Sequence, residues 1–278
     1  MSYEIGHDKV HGGFDTKPAI DGIFKLLPND CSTPGYWTSL AENSNDWAHE
    51  ISACHFWRDA NAALPRWKKE YRRDHGGALG LGDGLPSFVG KSAQRIREKT
   101  IEKVRRAEDL NHGVREIFDQ EVAIPRLEDL VRVRLQVHFL DGVPYLARKI
   151  HELVKKYDPR AKIEPKGSLN GYFAQHLTFC WPVYFRFGGD PTSCKVTCEV
   201  QIATSLATHV WTNSHGLYEA TRIDFEKSED WQWSPKDPRF LARQLGHMIH
   251  LADGLFCNLR DNSLGSNASA PKRDKDNL

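Results

Sequence analysis

The feature that most constrains the fold is an alternation of apolar and polar residues in the segment 127–139, which is strict from Val131 to Phe139. Apolar side chains occupy every second position, and arginine, glutamine and histidine lie between them. Because successive side chains of a strand point to opposite sides, this spacing predicts a β-strand with one buried and one polar face. Residues 194–202 alternate in the same way, so at least two such strands are expected.

Helical spacing of apolar residues surrounds these strands. It predicts helices over residues 47–71, 91–110, 144–157, 204–220 and 238–260, with Pro65 dividing the first. Shorter runs typical of strands occupy residues 160–164, 172–180 and 183–187. The predicted fold class is therefore α+β: a mixed, roughly five-stranded sheet wrapped by helices.

Domain boundaries are expected at a glycine cluster and near the C-terminus. Residues 76–84 contain five glycines, and they favour a linker over a phosphate loop because neither a preceding strand nor a following Gly-Lys-Ser/Thr is present. The prediction is an N-terminal Trp-containing helical region with this linker over 1–89, a second domain over 90–262 and a disordered tail over 263–278.

Composition excludes several classes of protein. The 278 residues include 38 Lys and Arg against 37 Asp and Glu, which argues against a protein that coats nucleic acid through its overall charge. Six scattered cysteines do not form a disulfide framework in a chain of this length. No run is apolar enough for a signal peptide or a membrane span, so we expect a cytoplasmic protein without membrane contact.

Two carboxylates are placed where strand ends are predicted. Glu199 lies on the polar face of the second alternating strand, whereas Asp129 shares its phase with the apolar Val131 and must therefore precede the first strand. Carboxylates brought together at strand ends can hold Mg²⁺ on a polyphosphate, or one can take a proton from an attacking hydroxyl. On alternation alone, an ordinary exposed strand residue is the more common explanation of Glu199.

Three other features allow a structural and a functional interpretation. Asn170-Gly171 predicts a turn that presents Tyr172 at a strand start, where its ring can stack a nucleobase or fill the edge of the core. A helix face with cations at Arg95, Lys99, Lys103 and Arg106 is either solvated or a polyphosphate clamp. Cys194 and Cys198, with Cys180 and His176, include zinc-ligand types, but the first two share an apolar face that suits buried thiols.

Four motifs in chain order resemble the synthetase domain of the RelA/SpoT-homologue family. They are Arg95-Ile96-Arg97; Asp129 to Arg134; Asn170-Gly171-Tyr172 with His176; and Glu199 to Thr204 with Trp211, His215 and Tyr218. The resemblance covers roughly residues 90–225. It implies a nucleotidyltransferase-like fold and a GTP pyrophosphokinase, which transfers the pyrophosphate of ATP to the 3′ hydroxyl of GDP or GTP and makes the alarmone (p)ppGpp of the stringent response.

The resemblance also implies roles for individual residues. Asp129 and Glu199 would be catalytic and hold Mg²⁺, with Glu199 as general base or metal ligand. Acceptor binding would fall to Tyr172, His176, Gln201 and His215. ATP binding would fall to Arg95, Arg97, Lys99 and Lys103.

Several departures from the family pattern keep alternatives open. Ala203 stands where the family usually has Arg, Arg97 where Lys is usual and Arg132 where Gly is common, and the basic motif is shortened. The absence of a recognisable histidine–aspartate hydrolase domain predicts a stand-alone synthetase. Some stand-alone members resemble toxins that act on adenosine nucleotides or the 3′ end of tRNA and are neutralised by an antitoxin. We expect such specificity or neutralisation in the Trp-rich N-terminal region or in the helix over 238–260. An inactive nucleotide-binding module of the same fold is the second alternative.

Overall fold

The computed structural model describes residues 33–106, 117–118, 124–167, 171–186, 190–222 and 232–268. The helices and strands within them follow in the order α1 Pro34–Ala53, α2 His55–His75, β1 Val89–Gly90, α3 Ala93–Arg106, β2 Val131–Val137, α4 Gly142–Val154, β3 Lys162–Lys166, β4 Ala174–Phe185, β5 Thr192–Thr204, α5 Ser205–Arg222 and α6 Pro238–Ala268. None of the described helices is both long enough and apolar enough to cross a membrane.

The described strands form one mixed sheet in the order β1-β2-β5-β4-β3. β2 runs parallel to β5, with Val131 opposite Cys198 and Val137 opposite Thr204. The edge strands are antiparallel to their neighbours, β1 to β2 and β3 to β4. This five-stranded mixed sheet confirms the predicted fold class.

The alternation in β2 separates a buried face from a half-buried polar one. Val131, Val133, Leu135 and Val137 are at most 2% exposed, whereas Arg132 and Arg134 between them are half-buried. Asp129 lies in a turn before the strand begins, as its phase with Val131 predicted. The parallel register then aligns Arg132 with Glu199 and Arg134 with Gln201, so the polar faces of both strands coincide.

Two predicted strand segments prove to be one. The sequence suggested separate strands over 172–180 and 183–187, but β4 continues through Pro182 to Phe185. The register of β3 with β4 ends at Thr178, so within the described residues β3 does not pair with β4 at the level of Pro182. A strand tolerates proline where no ladder hydrogen bond is required of its nitrogen, which explains the continuity.

The N-terminal helical region is divided at Cys54 rather than at Pro65. Pro65 lies inside α2, between the buried residues Leu64 and Trp67. Proline removes one helical hydrogen bond, but burial of large apolar side chains on both sides maintains the helix across it.

The tryptophans of this region belong to the core. Trp47, Trp57 and Trp67 are at most 2% exposed. Ring centroids of Phe56 and Phe179 lie 5.2 Å apart, so an aromatic cluster joins α2 to β4. Burial of these tryptophans removes them as an exposed partner surface, which the sequence had allowed.

Contacts between Cα atoms divide the chain into two compact units. The first comprises residues 1–43, 92–127 and 184–194, and the second comprises residues 44–91, 128–183 and 195–278. Within the second unit, the glycine cluster predicted as a linker packs beside β2, because Gly80 bridges Val137 and the His138 amide donates to the Leu79 carbonyl at 3.0 Å. α6 extends to Ala268, into the segment predicted as a disordered tail.

Candidate functional site

Glu199 is buried in a hydrogen-bonded network on the polar face of the sheet. Its side chain is 7% exposed, and His176 Nδ1 on the neighbouring β4 lies 2.5 Å from Oε1. Gln201 Nε2, two residues along the same strand, donates to Oε2 at 2.7 Å. The structure therefore excludes the interpretation of Glu199 as an ordinary exposed strand residue.

The surroundings of Glu199 keep it charged. Burial raises the pKa of its carboxyl, and the nearby charge of Asp129 acts in the same direction. Hydrogen bonds from His176 and Gln201, together with the charge of His176, outweigh both and leave the pKa below its ordinary value. Glu199 is thus a carboxylate at neutral pH that can accept a further hydrogen bond or ligate a cation through its remaining lone pairs.

Tyr172 extends the network towards the start of β4. Its hydroxyl lies 3.3 Å from His176 Nε2. Burial raises the pKa of Tyr172 to about 12, against the opposing charge of Arg134, so the phenol stays protonated and donates to this nitrogen. The tautomer that satisfies both contacts of His176 carries its proton on Nδ1, directed at Glu199.

Asp129 is held by a lysine that the sequence analysis did not identify. Lys91, one residue after β1, is 9% exposed and forms an ion pair with Asp129 Oδ2. The Lys91 amide donates to the Leu130 carbonyl at 3.0 Å and to Ser44 Oγ at 3.0 Å, which fixes the backbone from which the side chain extends. In sequence, this lysine resembles any surface lysine between a short extended segment and a helix, and only the pairing of β1 with β2 distinguishes it.

Two arginines lie on the same face as Glu199. Arg134 Nε approaches Gln201 Oε1 at 3.4 Å, and Arg132 is aligned with Glu199 in the parallel register. Ala203 lies on the same face of β5 as Glu199 and Gln201, and it pairs with Gln136 on β2. It is the position at which the RelA/SpoT-homologue motif usually has arginine. Positive charge is therefore present on this face from β2, although β5 does not supply it at Ala203.

A pocket borders the network at Tyr172. Its lining comes from the start of β4, from α5 and from α6: Gly171, Tyr172, Phe173, Ala207, Val210, Trp211, Ala242, Gly246, Ile249 and His250. The rings of Tyr172 and Trp211 have centroids 4.5 Å apart, and those of Phe173 and His250 stack at 3.7 Å. A pocket with mainly apolar walls and a few polar groups suits a planar ring such as a nucleobase.

α6 fits closely against this pocket through glycine. Gly171 has a φ of +66°, and a Cβ on it would lie 2.5 Å from the Arg243 carbonyl oxygen. A Cβ on Gly246 would lie 1.9 Å from the Gly171 carbonyl oxygen. Both positions therefore require glycine, and the backbone that presents Tyr172 rests directly on α6.

Solved small alarmone synthetases are similar to this chain. One is small alarmone synthetase 1 from Bacillus subtilis bound to its product pppGpp, at 13% identity, a TM-score of 0.44, and coverage of 75% of this chain and 92% of the other. A GTP pyrophosphokinase family protein from Streptococcus pneumoniae is 18% identical, with a TM-score of 0.44 and coverage of 80% of this chain and 97% of the other. Small alarmone synthetase 2 from Bacillus subtilis is 17% identical, with a TM-score of 0.37 and coverage of 81% of this chain and 100% of the other. No family model and no curated protein matches the sequence.

The four predicted ATP-binding cations lie on α3, in the first compact unit. Arg95 and Arg97 are exposed, and Arg95 pairs with Glu98 at 3.2 Å on the same helix. Lys99 and Lys103 are half-buried, and Lys103 Nζ lies 3.4 Å from the Arg126 carbonyl oxygen. Their role in ATP binding stays a prediction.

His215 and the candidate zinc ligands complete the set of residues that the sequence singled out. The side chain of His215 lies outside the described residues, although its backbone belongs to α5. Within the described part of the chain, no group of three or more His, Cys, Asp or Glu side chains is placed to hold a metal ion, and His176 directs Nδ1 at Glu199. Burial raises the pKa of the Cys198 thiol well above its usual value, as befits a buried thiol rather than a zinc ligand.

Asp129 and Glu199 fit the limited demand that Mg²⁺ places on a protein. Mg²⁺ on a nucleotide needs only one or two carboxylates, because phosphates and water complete its octahedral coordination. Arg132 is aligned with Glu199 in the parallel register, and Asp129 lies three residues before Arg132. Along the strand direction, Asp129 is therefore at most about 10 Å from the level of Glu199. That spacing leaves room for a phosphate between them, and the donors on Glu199 would orient its oxygens.

Proposed function

We propose that the chain is a pyrophosphokinase that transfers the pyrophosphate of ATP to the 3′ hydroxyl of GDP or GTP, making (p)ppGpp. The observation that carries this proposal is the buried network of Glu199, His176, Gln201 and Tyr172, which lies on one sheet face with Arg132 and Arg134. The four motifs that resemble the RelA/SpoT synthetase domain support the same activity.

In the proposed reaction the acceptor 3′ oxygen attacks the β-phosphorus of ATP. A bond forms between these two atoms, the bond from the β-phosphorus to the bridging α–β oxygen breaks, and AMP leaves with that electron pair. Glu199 accepts the hydrogen bond of the 3′ hydroxyl and receives its proton as the bond forms. A low pKa makes Glu199 a weak base, so it contributes more by orienting the hydroxyl than by removing the proton early.

The other residues would position the substrates and neutralise the charge of the phosphates. Asp129 and Glu199 would hold Mg²⁺, which supplies charge neutralisation at the phosphates when bound. Phosphoryl-type transfer depends mainly on alignment and charge, which the arginines of β2 would also serve. Tyr172, with Trp211 beside it, would bind the acceptor base at the pocket, and the α3 cations are proposed to bind ATP.

A tRNA acceptor would need a basic surface leading to Tyr172, for which the sequence offers Lys155, Lys156, Arg160, Lys162 and Lys166, but three of these cations lie beside acids. Lys162 Nζ lies 2.5 Å and Lys166 Nζ 2.8 Å from the two oxygens of Glu164, and Arg160 lies 3.7 Å from Asp158. These acids reduce the positive charge that would attract an RNA backbone. Adenosine nucleotides remain the other acceptor to be tested, because none of the contacts described here distinguishes the edge of a guanine from that of an adenine.

One acceptor panel tests the proposal. Purified protein is incubated with labelled ATP and, separately, with GDP, GTP, AMP and tRNA, and the labelled products are resolved. We expect transfer to GDP or GTP, with loss of transfer in Asp129→Asn and in Glu199→Gln, both shown to be folded by circular dichroism. Glu128→Gln, at the exposed acid beside Asp129, is the matched control and should transfer normally. Absence of transfer to every acceptor would favour the inactive binding module.

A further inference from the structure

The indole of Trp211 lies against the ring of Tyr172. Their ring centroids are 4.5 Å apart, the ring planes are inclined by 42°, and both side chains line the pocket at the start of β4. A flat ring in contact on both sides needs roughly 7 Å between its neighbours, which is twice the contact distance of about 3.5 Å. A nucleobase therefore does not fit between Tyr172 and Trp211 as they stand.

Tyr172 is held in place at its backbone and at its hydroxyl. The preceding residue, Gly171, packs so closely on α6 that a Cβ on it would lie 2.5 Å from the Arg243 carbonyl oxygen. The phenol hydroxyl lies 3.3 Å from His176 Nε2. Turning the ring away would cost the hydroxyl contact, and α6 blocks a shift of the backbone. Tyr172 is therefore the fixed member of the ring pair.

Trp211 is placed to be the mobile member. It lies on the second turn of α5, where its side chain is half-buried and the next two residues, Thr212 and Asn213, are exposed. The start of this helix is fixed, because the Ala207 amide donates to Thr204 Oγ1 at 3.0 Å. The indole can turn towards the exposed side of α5 by changing its side-chain rotamer, without movement of the helix.

The space that the indole would leave fits a purine. Three other residues of the lining, Ala207, Ala242 and Gly246, carry at most a methyl group, so they would not fill the vacated place on Tyr172. Indole and purine are both flat, fused two-ring systems, and a purine can restore the lost contact over a similar area. A pyrimidine has one ring and restores only part of it.

We propose that Trp211 occupies, in the chain without nucleotide, the place on Tyr172 that the acceptor base takes, and that the base binds by displacing the indole. This inference rests on the proposed function, which assigns the acceptor base to Tyr172. It adds a residue that sets the affinity for the acceptor. It also narrows the acceptor class to purine nucleotides, because a purine compensates for the lost indole contact and a pyrimidine does so only in part.

Displacement has a defined effect on affinity. The apparent Kd equals the intrinsic Kd divided by the fraction of chains in which the indole is turned away. An aromatic pair shifts such an equilibrium by roughly two- to tenfold. The cost of opening the pair is the same whichever base follows, so it weakens the binding of purine and pyrimidine nucleotides by the same factor.

Calorimetric binding of GDP, ADP and UDP, without ATP, tests the proposal. The wild type should bind both purine nucleotides more tightly than UDP, and Trp211→Ala should bind all three about two- to tenfold more tightly than the wild type does. Trp211→Leu, which keeps an apolar wall but no ring, should change affinity in the same direction if Trp211→Ala fails to fold. Trp233→Ala, at an 85% exposed tryptophan outside the pocket lining, is the control and should bind as the wild type does.

The outcomes separate this proposal from the proposed function. Weaker or unchanged GDP binding in both Trp211 variants, with transfer from ATP intact, would overturn the displacement alone. Tighter binding in Trp211→Ala without transfer to any acceptor would support the displacement and contradict the pyrophosphokinase. Absence of nucleotide binding in wild type and variants alike would overturn both.

Fluorine NMR observes the indole directly. In protein labelled with 5-fluorotryptophan, the resonance that is missing from Trp211→Phe belongs to Trp211. Saturating GDP should move this resonance towards that of a solvent-exposed indole, because the side chain leaves Tyr172. A resonance that does not move at saturating GDP would show that the indole stays in place and would overturn the proposal.

Discussion

At the scale of single residues, burial changes what Glu199 and Tyr172 can do. Alternation in the sequence predicted that Glu199 points away from the apolar face, but it did not predict that His176 and Gln201 would enclose it. Tyr172 was expected to offer its ring to a base, and the structure adds a hydroxyl directed at His176 and a ring partner in Trp211. Ring and hydroxyl can be tested separately.

Tyr172→Ala should raise the KM for the acceptor, because stacking of a base on an aromatic ring contributes about 1–3 kcal/mol, or roughly fivefold to more than a hundredfold. The KM for ATP should change little. Tyr172→Phe keeps the ring and loses only the hydroxyl contact, so it should retain the acceptor KM. Steady-state kinetics of both variants decide the matter. An unchanged acceptor KM in Tyr172→Ala would remove the stacking role.

Lys91→Met should destabilise the fold by about 3 kcal/mol, because it removes a buried ion pair with the carboxylate of Asp129. The double variant Lys91→Met with Asp129→Asn should cost less than the sum of the single changes, since each single change already breaks the pair. Urea unfolding of the four proteins measures this coupling. Lys162→Met, which breaks an exposed ion pair with Glu164, is the control and should destabilise the fold much less, because solvent screens this pair. Strict additivity at Lys91 and Asp129 would contradict the pair.

At the scale of elements, one carboxylate joins three helices. Asp141 precedes α4 and accepts hydrogen bonds from Arg260 on α6, at 2.8 and 3.1 Å, and from Tyr71 on α2, at 2.5 Å. His75, also on α2, lies 2.9 Å away. Burial raises the pKa of Asp141, but the hydrogen bonds from Arg260 and Tyr71 and the nearby positive charges together outweigh burial. The pKa of Asp141 therefore lies below its ordinary value, at about 2.

This junction should make stability fall in acid. Because the pKa of Asp141 is lower in the folded chain than the unfolded value of about 4, its contribution is complete above that value and is lost as the pH falls towards 2. The loss should be on the order of 1–2 kcal/mol for this partly exposed group. Unfolding of wild type and Asp141→Asn, compared from pH 6 to pH 2, measures it.

The variant should be less stable at neutral pH and show a shallower decline in acid than the wild type. Asp83→Asn, at an exposed position in the glycine cluster, is the control and should keep the wild-type slope. Equal slopes in wild type and Asp141→Asn would mean that Asp141 does not set the acid sensitivity.

At the scale of the whole molecule, local patterns predicted the elements, and non-local contacts determined how they combine. The fold class followed from the alternation in β2 and β5 and from the helical spacing around them, because both patterns are set by neighbours in sequence. The continuity of α2 through Pro65 and the continuity of β4 through Pro182 were missed. In both places burial and strand pairing, which depend on distant residues, outweighed the preferences of proline.

The candidate site divides in the same way. Glu199, His176 and Gln201 were identified from motif order, and the structure brings them together. Lys91 and the close contact of Gly246 on α6 with Gly171 were not identified from the sequence, because each involves a residue far away in the chain. The exposed apolar face of α6, by contrast, was present in the sequence as a row of leucines, and only its exposure distinguished it from a core helix.

The parallel pairing of β2 with β5 has a consequence for the order of events during synthesis. Between Val137 and Thr192 the chain forms α4, β3 and β4 before β5 can take its place beside β2. A contact between strands so far apart in sequence forms slowly, because a long loop must close first. A nascent chain that has not yet released residues 198–204 from the ribosome therefore has Asp129 but no Glu199 beside it. The proposed activity can arise only once the chain has been made at least as far as Thr204, about three quarters of the 278 residues.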